Sequence, residues 1–529
     1  MKKINNTIWM LFLGLTLTSC GDDIENVNDN PNSPEVVPTN TIFNSATKEF
    51  TDVTRSSFNN GRLVLNWMEY WGQNSYADED RYLYREGSAE SLYRDTYEIA
   101  TDLQQILQLN SNPDTAENAA SLGANENQIA ASRIMLSYMF HQLTNTFGDV
   151  PYYSYGSDDP DFQALQVNSI LSPVFASQEK IYADILNELR ESADMINTSE
   201  PVFTSGDNVL GGDPVKWKKF ANSLILRVAT NIKAVDQSTY ESAVSAAIAD
   251  GVMESNADNA VQNYETSDPT ASPWWRAFVV DGRTDFAVAA PFVNLLKGET
   301  GNYGQDPRLF EMAAPYELSI QPIIEDSYEK SENYDDYEGV PYAFQNANDL
   351  PFTVYSFPSS KVLRPDYGEV LMEYAEVEFL LSEFNGWSQS NYENGVRASM
   401  AKWGVDSGDI DSFVSSLPAA SEETVITQKY VALYMQAHQS YAEYRRTGYP
   451  DSDILLLPGE SYSLPPVQAA ETDADTYTFI SGVEGATDIP NRLRYPVFLQ
   501  TLNGENRAAA ASELDNGDTI FSTLFWDVD

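Results

Sequence analysis

Two aromatic-rich stretches carry the side chains best suited to contact a ligand. The first combines four rings with polar neighbours: Trp67, Tyr70, Trp71, Tyr76, Gln73, Asn74 and Arg81. The second is Trp274-Trp275-Arg276. Carbohydrate recognition needs flat rings that lie against sugar faces and planar polar groups that bond the hydroxyls. Both stretches therefore predict ligand contact, with Trp71 and Trp275 as the leading candidates.

The same rings have alternative uses. Tryptophan is commonly buried, and protein interfaces are enriched in aromatic residues, so these rings could fill the core or line a contact with a partner protein. Trp217 and Trp403 recur at helical spacing and are predicted to be core residues. Arg445 and Arg446 are predicted to pair with acidic residues inside the protein rather than to meet a ligand.

Catalytic chemistry has little support in the sequence. The two histidines, His141 and His438, have no second histidine or cysteine at metal-ligand spacing, and both are predicted to be core or interface residues. No nucleophile elbow, phosphate-binding glycine loop or dinucleotide fingerprint occurs. We therefore expect no catalytic residues, no metal site and no cofactor. A surface glycosidase stays an alternative, because 79 acidic residues guarantee chance carboxylate pairs and catalysis depends on their separation in space.

Helical periodicity covers most of the chain, so helices are expected to position these side chains. Ser177 and Asp213 are predicted N-caps, and Pro214 is predicted to begin the most regular helix. Periodicity fades from Asp258 to Ser360, which indicates a loop-rich insertion. The fold class is therefore all-α, with helix pairs packing on their neighbours. The other predicted helices span residues 39–58, 90–109, 126–147, 367–384, 392–403, 422–445 and 498–510.

The first twenty residues look like a lipoprotein signal. Lys2 and Lys3 precede a short apolar core, which ends in Leu17-Thr18-Ser19-Cys20 and is followed by acidic residues. This pattern is similar to a bacterial lipobox, which implies cleavage before Cys20 and acylation of that cysteine. An ordinary secretory signal with a chance cysteine is the alternative. No later apolar run reaches membrane-spanning length, so a lipid anchor is the only membrane contact that the sequence predicts.

Composition excludes one class of partner. The formal charge of −48 over 529 residues repels nucleic acid, so no nucleic-acid binding is expected. Apolar residues make up 42% of the chain, which is enough material for a packed core.

Seven segments in order resemble the SusD/RagB family of outer-membrane lipoproteins. Together they span nearly the whole chain: the lipobox, 28–34, 148–152, 213–224, 375–383, 444–450 and 489–496. The resemblance implies tetratricopeptide-like helix pairs and a ligand surface built from the irregular insertions. It also implies a nutrient-binding function without turnover, and a partner that is a SusC-like TonB-dependent β-barrel transporter in the outer membrane, where the lipoprotein faces the cell exterior.

The resemblance divides the chain into a signal peptide (1–19), a lipid-anchored tether (20–40) and one α-helical domain (41–529) that contains the loop-rich insertion 258–360. It does not identify the ligand, because the matching segments belong to the scaffold. An oligosaccharide is favoured by the aromatic stretches, and a peptide, as in the RagB branch, is the alternative.

Overall fold

A computed structural model describes residues 37–85 and 87–527, and this part of the chain is mainly helical. The predicted signal peptide, Cys20 and most of the tether lie outside the described residues. The α-helices of eight or more residues are Thr39–Thr54 (α1), Glu90–Ser111 (α2), Asn125–Phe147 (α3), Gln178–Met195 (α4), Pro214–Asn231 (α5), Gln237–Asp250 (α6), Ala290–Lys297 (α7), Tyr374–Phe384 (α8), Gln389–Trp403 (α9), Ser407–Ser416 (α10), Glu422–Ala432 (α11), Ala437–Thr447 (α12) and Gly504–Glu513 (α13).

The described residues contain three small antiparallel ladders, of which the first two join distant parts of the chain. Strands β1 (Trp71–Gln73) and β3 (Phe286–Val288) form one, β2 (Ala260–Gln262) and β4 (Glu369–Met372) another, and β5 (Ser461–Ser463) and β6 (Thr476–Thr478) the third. Each has only two strands, so the helices dominate and the all-α prediction is confirmed.

Consecutive helices pack as neighbours along the first half of the chain. Helix α1 lies against α2, α2 against α3, α3 against α4, α4 against α5, and α5 against α6. Further on, α8 packs against α9 and α11, and it also touches α5. Neighbouring helices bury apolar side chains against one another, as helix-pair repeats do, and α3 and α5 are buried on nearly every side. Trp217 and Trp403 lie in this core, as predicted.

Two predicted caps are present. The hydroxyl of Ser177 accepts from the backbone N–H of Lys180, and the Asp213 carboxylate accepts from the N–H groups of Val215 and Lys216 before Pro214 opens α5. Each cap satisfies backbone donors that a helix start leaves unpaired.

Several predicted helix boundaries are wrong. Helix α8 begins at Tyr374, because Glu369–Met372 is extended and pairs with β2. The segment 422–445 contains two helices, separated by a turn in which Met435 has a φ of 72°. The segment 498–510 is likewise divided, into Leu499–Leu502 and α13. Helical periodicity continues through such breaks, so it does not reveal them.

Buried ion pairs connect the helices. Arg227 of α5 forms a bidentate pair with Glu376 of α8, at 2.6 and 2.7 Å. Arg446 pairs with Glu383 and Glu443, as predicted, whereas Arg445 donates to the carbonyl groups of Tyr441, Asn145 and Asn491.

The two histidines pack within the helical body, where His141 is buried and His438 is partly buried. Burial, together with the charge of a nearby arginine (Arg227 for His141 and Arg55 for His438), lowers the pKa of each imidazole to about 3. The two rings are therefore neutral at physiological pH.

Candidate functional site

The ladder of β1 and β3 brings the two predicted aromatic stretches together. Trp71 pairs with Val288 in this ladder, and its ring centroid lies 4.5 Å from that of Trp274, with the two planes inclined at 65°. Phe278 and Phe286 complete the cluster. Stretches 200 residues apart in sequence thus share one hydrophobic centre.

Two π-helices flank this centre. The first, Ser57–Val64, follows α1, and the second, Arg276–Val280, follows the short helical turn Pro273–Trp275. A Cβ atom on Gly61 would lie 2.8 Å from Cη2 of Trp274, so the two segments approach as closely as only glycine permits. Segments of π-helix are rare and occur frequently at functional sites, which marks this junction as a candidate.

Most of the predicted ligand-contacting rings lie beneath the surface. Trp67, Tyr70, Trp71 and Trp274 are fully buried, and Asn74 is 1% exposed. Three of these rings also bond the protein: Trp71 Nε1 donates to Tyr434 Oη at 2.8 Å, Trp67 Nε1 donates to the Glu79 carbonyl, and the Tyr70 hydroxyl contacts Ser440. A side chain with almost no exposed area, whether a ring or the Asn74 amide, has no surface for a ligand to contact. The structure therefore corrects the expectation for these five residues, which support the site from below.

The exposed surface above them carries Tyr76 and Phe58, which are 42% and 39% exposed. The guanidinium of Arg62 lies over both rings, with its Cζ 4.7 Å from the Phe58 centroid and 5.3 Å from the Tyr76 centroid. Asp285 and Arg283 adjoin Tyr76 on its other side. We call these five residues the aromatic platform. It combines flat apolar faces with directional polar groups, which are the two requirements for sugar recognition.

Charges fix the geometry of the platform. Tyr76 Oη donates to Asp285 Oδ2 at 2.8 Å, and Arg283 Nη1 donates to the same hydroxyl at 3.3 Å. Arg62 lies 3.8 Å from the carboxylates of Glu79 and Asp285. Burial of the hydroxyl and the negative charge of Asp285 raise the pKa of Tyr76 above its ordinary value, so the phenol stays neutral and keeps its proton for hydrogen bonding.

The two remaining candidates, Trp275 and Arg81, are also partly exposed. Trp275 is partly exposed in the turn before the second π-helix, and its backbone N–H is capped by the Ser272 hydroxyl. Arg81 is partly exposed, and its Nε donates to the carbonyl of Ile480, which ties it to the loop after β6. With Tyr76, these two residues stay candidates for ligand contact.

Sequence reasoning missed Phe58, Arg62, Arg283 and Asp285. Phe58 is the last residue of the first predicted helix and Arg62 lies beyond it; in the π-helix that replaces this helix end, Phe58 is exposed and Arg62 is buried beside it. Asp285 lies just before β3, whose pairing with β1 was not predicted. The one available signal was the short spacing of Phe58 and Arg62 from Trp67.

In residues 37–85 and 87–527, no three histidine, cysteine, aspartate or glutamate side chains converge as they would around a metal ion. Within the same residues, no helix has both the length and the apolar character needed to cross a membrane.

Two family matches cover most of the chain. Residues 31–459 match the SusD-like family described as starch-binding and associating with the outer membrane. Residues 419–527 match the family described as SusD and RagB outer-membrane lipoproteins. No curated protein sequence matches the chain.

Several solved structures share the fold. A chitin-binding protein is 22% identical, with a TM-score of 0.70, and the alignment covers 93% of this chain and 99% of that one. A chitin-binding SusD homologue from Flavobacterium johnsoniae is 20% identical, with a TM-score of 0.69 and coverage of 93% and 99%. A SusD homologue from Bacteroides fragilis NCTC 9343 is 19% identical, with a TM-score of 0.69 and coverage of 93% and 100%.

Proposed function

Because this chain belongs to the SusD-like family of outer-membrane proteins, we propose that it is a cell-surface lipoprotein that binds an oligosaccharide and delivers it to a SusC-like TonB-dependent transporter. It holds the nutrient without chemical conversion. We retain the domain division inferred from the sequence: signal peptide 1–19, tether 20–40 and a helical domain 41–529. Cys20 carries the lipid that keeps the protein on the outer face of the outer membrane.

The observation that carries the ligand proposal is the aromatic platform. Tyr76 and Phe58 present exposed rings, and the partly exposed Arg283 supplies a charged hydrogen-bonding group beside Tyr76. The buried Arg62 and Asp285 hold these groups in place. Buried ion pairs and the packed Trp71–Trp274 pair hold this arrangement before a ligand arrives, which reduces the ordering cost of binding. Trp275 and Arg81 extend the proposed contact surface.

The comparisons favour sugar chains as first probes. One matched family is described as starch-binding, and two structural relatives are described as chitin-binding. We therefore propose neutral oligosaccharides as the ligand class. A peptide is the alternative, since the second matched family includes RagB.

Isothermal titration of the full mature protein against chito-oligosaccharides, malto-oligosaccharides and a peptide library tests the ligand class. Binding of one oligosaccharide series supports the proposal, whereas binding of peptides alone replaces the ligand. The same mixtures are assayed for new reducing ends. Sugar release that a single carboxylate substitution abolishes would instead establish a glycosidase.

The partner is tested separately by affinity purification of the lipoprotein from detergent-solubilised outer membranes. Co-purification of a TonB-dependent barrel in near-stoichiometric amount supports delivery to a transporter. Recovery of the lipoprotein alone, from membranes in which it is abundant, would contradict that part of the proposal.

A further inference from the structure

Three adjoining cavities of about 520, 510 and 290 Å³ form a cleft beside the loop-rich insertion. The first and second share Phe310, Glu311 and Lys330. The second and third share Lys361 and Arg364. We call these three cavities the polar cleft. Each of the first two cavities has the volume of a small-molecule site. Because the three cavities adjoin one another, the cleft can hold an elongated ligand.

Every cation that lines the polar cleft has a carboxylate partner. Glu311 pairs with both Lys330 and Lys361. Arg364 forms a bidentate pair with Asp366, at 2.5 and 2.6 Å. Lys402 lies 2.7 Å from Glu373. Both donors and acceptors therefore line the cleft, and because its acidic residues outnumber its cations it has no unbalanced positive charge.

This pairing excludes an anionic ligand. The chain as a whole carries a formal charge of −48, which also repels anions. Walls that carry both donors and acceptors match vicinal hydroxyl groups, each of which both donates and accepts. The chemistry of the walls therefore suits a neutral ligand rich in hydroxyls.

Aromatic rings supply the apolar part of the cleft. The Phe310 and Tyr334 centroids lie 4.5 Å apart on one wall, and both side chains are partly exposed. These two rings give the cleft a flat apolar surface against which a sugar ring can lie.

One wall of the polar cleft is connected to the segment that carries Trp275. The Ser272 backbone N–H donates to the carbonyl of Pro365 at 2.7 Å, and its hydroxyl donates to the carbonyl of Arg364 at 3.0 Å. Ser272 is also the residue that caps the turn bearing Trp275. The wall of the cleft is thus hydrogen-bonded to the turn that leads into the second π-helix.

The polar cleft is less suited to a peptide than to an oligosaccharide. Peptides commonly bind by adding a strand to an exposed sheet edge. None of the lining residues belongs to β1–β6, the strands of the described chain. Side-chain groups dominate the walls instead.

We propose that the polar cleft binds further sugar units of a neutral oligosaccharide whose other end occupies the aromatic platform. This inference rests on the proposed function and adds the location and chemistry of the extended site. It implies that long chains bind more tightly than short ones, because only long chains reach from the platform past Trp275 into the cleft.

Two tryptophan substitutions on one helix provide a matched test. Ser412 lines the cleft, whereas Ser415, also exposed on α10, does not. Each hydroxyl donates to the carbonyl four residues earlier, so the local bonds lost are the same. Titration with one oligosaccharide series, from disaccharide to hexasaccharide, is compared among wild type, Ser412→Trp and Ser415→Trp.

The Ser412→Trp protein should bind the hexasaccharide roughly tenfold more weakly than wild type and the disaccharide equally well. Ser415→Trp should match wild type at every length. Lys330→Ala removes an exposed amine from the cleft without adding bulk, and it should weaken the binding of long oligosaccharides only. This variant replaces Ser412→Trp in the test if Ser412→Trp misfolds. Unchanged hexasaccharide affinity in correctly folded Ser412→Trp or Lys330→Ala overturns the inference.

The outcomes also separate this inference from the proposed function. If wild type binds no oligosaccharide of any length, the proposed function fails. If wild type binds short and long chains with the same affinity, the function stands and the cleft inference fails. A peptide whose binding alone is weakened by Ser412→Trp would show that the ligand class assigned to the cleft is wrong.

Discussion

Gly61 lies directly against Trp274: a Cβ atom added to Gly61 would come within 2.8 Å of Cη2 of the indole and 3.1 Å of Cζ of Phe286. Both rings are fully buried and belong to the cluster around Trp71, so neither has free space to withdraw into. The first π-helix therefore depends on glycine at this position, and the aromatic platform above it depends on the π-helix.

The Gly61→Ala protein should lose about 1–3 kcal/mol of unfolding free energy, because the extra methyl group overpacks a filled core. Gly408→Ala is the control, since a Cβ there meets nothing within 4 Å and the residue lies in α10. Alanine at an exposed helical position should leave stability unchanged or raise it by about 0.5–1 kcal/mol. Urea unfolding of the two variants and wild type measures both effects, and equal stability of Gly61→Ala and Gly408→Ala would contradict the packing argument.

The Tyr76→Ala protein should bind its oligosaccharide at least roughly tenfold more weakly than wild type, a loss of about 1.4 kcal/mol, because the ring is an exposed face of the platform. Tyr76→Phe keeps the ring and removes the hydroxyl that donates to Asp285, so it should retain most of the affinity. Isothermal titration of both variants makes the comparison. Equal losses in the two proteins would assign the effect to the hydroxyl and argue against ring stacking.

Much of the fold follows from the sequence, because long helices carry periodic apolar faces and caps at their ends. Ser177 and Asp213 are examples, since each is a short polar residue placed where the first turn leaves unpaired N–H groups. Trp217 was correctly predicted to lie in the core, because it belongs to a set of apolar residues that recur at helical spacing. These signals are local, so a single sequence is enough to detect them.

The candidate site was predicted less well, because it depends on contacts between distant segments. Trp71 and Tyr76 lie five residues apart and look equivalent in sequence, yet one is buried against Trp274 and the other is 42% exposed. The pairing of β1 with β3 decides which ring faces inward. The π-helix that brings Arg62 beside Phe58 has no periodicity of its own to reveal it.

Removal of Arg446 should destabilise the protein strongly. Arg446, Glu383 and Glu443 are all at least nine-tenths buried, and although burial raises the pKa of Glu443, the charges of Arg446 and Lys429 lower it to about 2. Arg446→Ala leaves buried carboxylates short of a partner, which costs about 3–5 kcal/mol. Arg94→Ala, which removes a half-exposed arginine that pairs with three acids of α2, should cost under about 1 kcal/mol. Similar denaturant midpoints for the two variants would contradict the prediction that the buried ion pairs of Arg446 matter more to stability than the exposed pairs of Arg94.

Glu369 should make the stability of the protein depend on pH. Its carboxylate is fully buried, has no hydrogen-bond partner among the described residues, and lies 3.7 Å from Arg55 Nε. Burial raises the pKa of Glu369 from 4.5 to about 8. The folded state therefore binds this proton more tightly than the unfolded state, so its contribution is complete below the unfolded pKa and declines as the pH rises through the folded pKa.

The expected result is a fall in unfolding free energy across the range between those two pKa values, and a smaller fall in Glu369→Gln, which cannot ionise. Glu443 does not obscure this comparison, because its pKa is lowered and its own contribution changes only below 4.5. Denaturant titrations at several pH values within the range measure both slopes. Parallel slopes in wild type and Glu369→Gln would show that another group is responsible.

Cys20→Ala should release the protein from the membrane. The lone cysteine follows Leu17-Thr18-Ser19 and precedes an acidic run, which is the pattern that favours acylation. Each buried methylene contributes about 0.8 kcal/mol, and stable anchoring needs more than one acyl chain, so loss of the acylation site should remove membrane affinity altogether. Wild type should incorporate radiolabelled palmitate and sediment with outer membranes, whereas Cys20→Ala should do neither. Unlabelled wild type in the soluble fraction would contradict the proposed acylation and the placement of the protein beside a transporter.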